Sequence, residues 1–278
     1  MTSKNPSDWI GKEKTCSDLL SVQHTKKIAS ALGELPPDEG DALPPLWQWA
    51  FFNEPVDLSE LGADGHPARG SFLPPAEGRN RMWAGGSVEW FKPLRLGRHA
   101  TCRTSINDVE EKRGRTGQLL FVTLQHEYIQ GNEVCVREEQ DIVYRAPSPP
   151  KMNSDYSVPE PQWQEAVEPS SVMLFRYSAV TFNGHRIHYD HPYATEVEGY
   201  SGLVVHGPLQ ATLMLQAFCK VHPTRIPRYY RYRGLRPLTA NQTFQVAGAD
   251  IGATTSQLWT FTAEGPAHIA DLEFEELK

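Results

Sequence analysis

His206–Phe218, HGPLQATLMLQAF, carries the pattern of a buried helix. It opens with Gly207 and Pro208 at a first helical turn, where the missing amide of proline does no harm. Leu209, Leu213, Met214, Ala217 and Phe218 are apolar, and so are Ala211 and Leu215 on the other side. A helix apolar nearly all round is a buried one. Strand-like runs follow it at Arg228–Tyr232, Gln242–Ala249, Thr255–Thr262 and Ala267–Glu275. The expected unit is therefore a buried helix with antiparallel strands wrapped round it.

Working outward, the first half repeats the order. Ser17–Leu35, SDLLSVQHTKKIASALGEL, has helical apolar spacing and ends at Pro36–Pro37. Strand candidates follow at Ser87–Phe91, His99–Asn107, Gln118–Ile129 and Glu133–Tyr144, the last two joined by the hairpin signal Gly131–Asn132. Lys92-Pro93-Leu94 and Arg236-Pro237-Leu238 enter the long strands of the two halves at matching places. Six of the 22 prolines fall between Ala146 and Pro169, which reads as an extended linker. Gly62–Arg79 reads as a long surface loop. These signals predict an α+β chain of two like units, at 1–145 and 170–278, joined by a linker at 146–169.

Composition narrows the function. The 278 residues carry 34 acidic and 27 basic side chains, a net charge of −7 without basic blocks, which disfavours a nucleic-acid partner. No apolar run approaches the ~18 residues of a membrane span, and the N-terminus lacks the apolar core of a signal peptide. Cys16, Cys102, Cys135 and Cys219 form no CxxC pair. A soluble cytoplasmic protein is expected, with no membrane and no nucleic acid as partner.

The chemistry concentrates in Phe175–Pro208, FRYSAVTFNGHRIHYDHPYATEVEGYSGLVVHGP. Asn183, His185, His188 and Asp190 lie within eight residues, and His206-Gly207 follows at the helix start. Imidazole accepts and returns a proton near neutrality, and the free amides of a helix start hold developing negative charge. Those two parts suit addition of water across a double bond conjugated to a carbonyl, or the reverse elimination. His185, His188 and Asp190 also have the ligand types of a metal site, although no second ligand cluster accompanies them. In RIPRYYRYRGLR (Arg225–Arg236), strand alternation sends some arginines to a solvated face, and others could grip phosphate groups bidentately.

The segment resembles the signature of MaoC-type hydratases and 3-hydroxyacyl-thioester dehydratases, a hot-dog family. The motif Y-A-x-L-S-G-D-x-N-P-x-H-x-D lies without gaps on Tyr177–Asp190, keeping Tyr177, His188 and Asp190, with the H-G at His206-Gly207. The resemblance implies a tandem double hot-dog, each sheet round its own long helix. It also makes His188 the catalytic His and Gly207 the oxyanion donor. The family's Asp falls on Asn183 and its Asn on His185, and Asn cannot accept a proton. Either His185 shares the acid–base work, or a carboxylate such as Asp190 or Glu89 replaces the Asp.

N-G-H-R-I-H-Y-D, together with Gly70–Pro75 and Arg81–Gly86 (RMWAGG), is similar to a narrower branch. That branch holds mesaconyl-C4-CoA and itaconyl-CoA hydratases and mitochondrial-type 3-hydroxyacyl-thioester dehydratases. The resemblance implies an acyl-CoA substrate with CoA as part of it, no separate cofactor and no metal, and leaves a homo-oligomer open. The first half, which lacks the histidine motif, is expected to shape the acyl and CoA tunnel, and Arg228, Arg231 and Arg233 are the candidates to grip the CoA phosphates. Mesaconyl-C4-CoA giving citramalyl-CoA is the favoured reaction; itaconyl-CoA would first need isomerisation. Arg186 or Arg81 would meet the acyl carboxylate, and Tyr200 and His206 complete the expected substrate contacts. The rivals are a linear 3-hydroxyacyl thioester, a thioester-binding module without turnover, and a thioesterase.

Overall fold

The computed structural model describes residues 5–68, 72–76, 78–114, 117–240 and 242–277; Gly70 and Ser71 of the Gly70–Pro75 segment, and with them part of the loop expected at Gly62–Arg79, lie outside these. The first half contains β1 (Glu13–Leu19), α1 (Val22–Leu32), β2 (Asn80–Trp90), β3 (His99–Gly114), β4 (Gly117–Gln130) and β5 (Glu133–Arg145). The second contains β6 (Trp163–Val167), α2 (Ser171–Val180), α3 (Gly207–Val221), β7 (Arg225–Gly234), β8 (Phe244–Asp250), β9 (Thr255–Thr262) and β10 (Gly265–Glu276). All pair antiparallel in one sheet of order β1-β3-β4-β5-β2-β7-β10-β9-β8-β6. Each half contributes the same sequence of strands, and β2 meets β7 at the centre from Gly85↔Arg233 to Glu89↔Tyr229. Among the described residues no helix is long and apolar enough to cross a membrane.

The α3 helix lies on β7–β10 as its apolar circumference demands. Leu209, Ala211, Met214 and Phe218 are wholly buried, and the Tyr230 hydroxyl donates to the Ala211 carbonyl at 3.0 Å. Here the expectation of a sheet round a long helix is met. The first half departs from it. The helix expected over Ser17–Leu35 begins only at Val22, because Ser17–Leu19 pair with β3 and Ser21 caps the helix. This α1 packs against α2, which marks it as the counterpart of α2 and not of α3.

Among the described residues the first half has no helix of α3's length. The chain after α1 meets Gly33, Pro36, Pro37, Gly40, Pro44 and Pro45, and a helix cannot propagate through them. The short turn Trp47–Ala50 fills the space instead, with Leu46, Trp47 and Phe51 buried and Leu46 and Phe52 in the left-handed region. The linker expected at 146–169 also holds a strand. Between Pro161 and Pro169 the five residues of β6 contain no proline and pair with β8.

Among the described residues Glu138 is the most deeply buried acid of that helix-poor half. Glu138 is 1% exposed and accepts from the Trp49 indole at 2.9 Å and the Tyr128 hydroxyl at 3.0 Å. Burial pushes its carboxyl up to about 7 despite those donors. A folded-state value above the unfolded one stabilises the fold at low pH. That stability is lost as pH rises from the ordinary carboxylate range through about 7. The loss is on the order of 3 kcal/mol at most. Relative to Glu138→Gln, the wild-type thermal midpoint should therefore fall between pH 5 and pH 8. A midpoint difference independent of pH would refute this.

Candidate active site

The α2 helix starts the site. Ser170 caps it, its hydroxyl accepting from the Met173 amide at 3.1 Å, and the buried face carries Tyr177 and Ser178. Beyond the helix the Asn183 amide returns to the Ser178 carbonyl at 2.8 Å, and the Asn183 side-chain oxygen accepts from the His185 amide at 3.0 Å. This folds the histidine motif back under α2. His188, buried, then lies 2.7 Å through Nδ1 from the Val204 carbonyl. A carbonyl only accepts, so Nδ1 carries the proton and Nε2 keeps the lone pair. Nε2 has no hydrogen-bond partner among the described residues.

His206 stacks on His188 with ring centres 3.6 Å apart and 18° between planes. Its Nε2 is 2.8 Å from the Ser178 hydroxyl, and Tyr177 meets its ring edge-on. His185 stands edge-on to His188 at 5.4 Å, and His66 of the first half packs on His185 at 4.5 Å. Burial, then the neighbouring His185, pushes His188 down to about 3; burial, His188 and His185 hold His206 well below its ordinary value. Both stacked imidazoles are thus neutral across the physiological range.

The candidates for the missing carboxylate do not fill its place. Asp190 accepts from Arg186 Nε at 2.9 Å and Nη2 at 2.7 Å, and from the Tyr193 amide at 3.1 Å, which lowers its pKa. Its two oxygens thus hold the turn that follows. Glu89 neighbours the fully buried Val88 on β2, so it points to the outer face, 3.8 Å from Arg137. Asn183 is engaged in its own turn. Arg186 is also engaged: beyond Asp190 it donates Nη1 to the Ala63 carbonyl at 3.0 Å and lies over the Tyr193 ring. It latches a first-half loop onto the motif, with the Gly65 and Gly184 backbones in van der Waals contact. A Cβ on Gly65 would stand 2.0 Å from the Gly184 carbonyl oxygen.

Gly207 is the first residue of α3, so its amide has no carbonyl within the helix to meet. A Cβ there would stand 2.5 Å from Trp83 Cε3, so only glycine allows this approach. Trp83 comes from β2 of the first half and stacks on Tyr232 of β7 at 4.7 Å. Arg81 precedes it by two residues on the same strand face and has no ion-pair partner among the described residues. Tyr200 packs half-buried at the core margin, where burial and then Glu198 raise its hydroxyl.

The arginines expected to hold CoA lie along β7. Arg228 pairs with Glu275 at 2.7 Å. Arg231 and Arg233 are exposed on the face opposite the buried Tyr230 and Tyr232, because a strand alternates its side chains. Arg233 lies over Tyr156. Among the described residues no three His, Cys, Asp or Glu side chains are grouped to hold a metal ion.

Trp83, Tyr232, His268 and His66 escaped the sequence reading. Trp83 lay inside the quoted RMWAGG segment, but nothing there gave its direction. The other three reach the site only through strand register and loop packing.

A family model described as hydroxyacyl-thioester dehydratase type 2 matches residues 46–240. The chain is 40% identical over 245 residues to the mesaconyl-C(4)-CoA hydratase of Chloroflexus aurantiacus, covering 86% of each. It is 28% identical over 288 residues to the mitochondrial hydroxyacyl-thioester dehydratase type 2 of Schizosaccharomyces pombe, covering 91% of this chain and 95% of that one. Among solved structures, HtdX of Mycobacterium tuberculosis superposes with a TM-score of 0.67 at 17% identity, covering 94% of this chain and 99% of that one. A second protein of that organism, described as having a double hotdog fold, superposes at 0.64 with 12% identity and 96% of each chain covered. Those two likenesses establish the double hot-dog fold.

Proposed function

From the premise that the chain belongs to the hydroxyacyl-thioester dehydratase type 2 family, hydro-lyases of acyl thioesters, we propose that it reversibly hydrates mesaconyl-C4-CoA to citramalyl-CoA. The observation that carries the chemistry is His188, neutral, anchored through Nδ1 and stacked on the residue before Gly207. Water gives its proton to His188 Nε2 as its oxygen bonds the β-carbon. The double-bond electrons move onto the thioester oxygen, which the Gly207 amide receives. The imidazolium then protonates the α-carbon as the carbonyl re-forms. Nothing else enters, so CoA is the only carrier needed and no separate cofactor is invoked.

The acyl group is proposed from the 40% identical hydratase and from Arg81, which shares a strand face with Trp83 and has no ion-pair partner among the described residues. A fixed guanidinium suits the carboxylate on the β-carbon. The test is turnover of mesaconyl-C4-CoA, crotonyl-CoA and a long-chain 2-enoyl-CoA, following loss of the enoyl group and release of free thiol together. Preferred loss of mesaconyl-C4-CoA without thiol supports the proposal. Preference for linear substrates assigns the enzyme to 3-hydroxyacyl thioesters, and thiol release to thioester hydrolysis. Arg81→Ala should raise KM for mesaconyl-C4-CoA roughly 10- to 100-fold, the range of a lost charged hydrogen bond, and leave crotonyl-CoA within about twofold. Equal effects on both substrates would remove Arg81 from the acyl pocket.

A further inference from the structure

A helix start usually offers several free amides to an oxyanion, but here the second residue of α3 is Pro208, which has none. Gly207 therefore faces the thioester oxygen without its immediate neighbour. On the inner face of β10, His268 is 2% exposed and stands opposite Gly234 of β7 and Thr260 of β9. Its Cε1 is 3.6 Å from the point a Gly207 Cβ would occupy. Trp83 closes one side with its ring centre 5.7 Å away. The adjacent Nε2 is buried and has no hydrogen-bond partner among the described residues. A buried polar atom left unpaired costs free energy, and a ligand that pairs it removes the cost.

We propose that His268 is the second donor of the oxyanion site, giving Nε2–H to the thioester oxygen beside the Gly207 amide. The inference rests on the hydration reading. The Tyr232 hydroxyl, also buried and without a partner among the described residues, is less suited, because it lies in the field of Glu138. His268 has no such neighbour. Burial is the sole cause of its shift to about 3, so the ring is neutral and can donate without carrying charge. A neutral imidazole donor takes no proton from the reaction and leaves the water to His188.

The test uses His268→Leu, which removes the donor, and His268→Gln, which restores an N–H at similar reach. The Leu variant should lose roughly 10²–10³-fold in kcat, as loss of one oxyanion donor does, with KM within about threefold. The Gln variant should recover at least about tenfold of that loss. Bound butyryl-CoA, labelled with carbon-13 at the thioester carbonyl, supplies a readout independent of turnover. Its resonance should move downfield in wild type and Gln, and less in Leu. Leu turnover near wild type, Gln no better than Leu, or one resonance position in all three proteins overturns the proposal. A wild type that hydrates none of the enoyl-CoA panel overturns the reaction instead, and the carbonyl resonance still decides His268.

Discussion

His188→Asn is expected to lower kcat for hydration about 10³-fold while CoA-thioester affinity and thermal midpoint change little. Asparagine places an amide nitrogen where Nδ1 stands and can still donate to the Val204 carbonyl, 2.7 Å from Nδ1, so the turn keeps its anchor. Only the lone pair on Nε2 disappears. General-base removal typically costs 10²–10⁴-fold, and no carboxylate in the motif stands ready to substitute, with Asp190 bound by Arg186. Alanine is a poorer probe, because it also unpairs a buried carbonyl and unstacks His206. The pH profile supplies a second check. With His188 pushed down to about 3, the neutral base persists well into acid. The kcat/KM profile of the wild type should lack the acid limb near pH 6.5 that an ordinary histidine imposes. A limb at that pH, or His188→Asn within tenfold of wild type, would place the base on another residue.

Gly207→Ala is expected to damage folding and turnover together. The added methyl would meet Trp83 Cε3 at 2.5 Å, and Trp83 is itself held between Tyr232 and Trp49. Overpacking of this kind costs about 1–3 kcal/mol, and relief by shifting α3 turns the Gly207 amide away from the oxyanion. A one-ångström misplacement is enough for about a 10²-fold loss. Trp83→Phe in the same chain trims the obstructing ring and should return much of the lost stability. The two changes therefore combine with less loss than their sum. Strict additivity would show that the clash is relieved elsewhere.

The second half was legible because its signals are local. Gly207 and Pro208 announce a helix, the apolar circumference announces its burial, and the histidine spacing announces chemistry. The first half misled for physical reasons. Ser17–Leu19 have spacing compatible with either helix or strand, and only pairing to β3 decides. The apolar spacing of Ser17–Leu35 suggests that half's buried helix, yet α1 packs on α2, and the prolines and glycines after it exclude a longer one. β6 lay hidden because its five residues sit between prolines. The wall of Trp83, Tyr232 and His268 depends on which face each strand turns inward, and that is set by the β2–β7 and β7–β10 register. The engagement of Arg186 with Asp190 and Ala63 was equally out of reach, since half of it comes from a loop more than 100 residues away.

The β2–β7 ladder also has a bearing on how the chain could be cut. The halves are joined by backbone pairing from Gly85 to Glu89, by the Trp83 ring on Gly207 and by the Arg186 contact with Ala63. None of these joints passes through 146–162. A chain severed there keeps all of them, and its reassembly becomes a meeting of two molecules governed by their concentrations. One fragment would bring the histidines and Gly207, the other Trp83 and Arg81. Turnover would then report their encounter, which makes this fold a ready-made split reporter with its breakpoint already marked by proline.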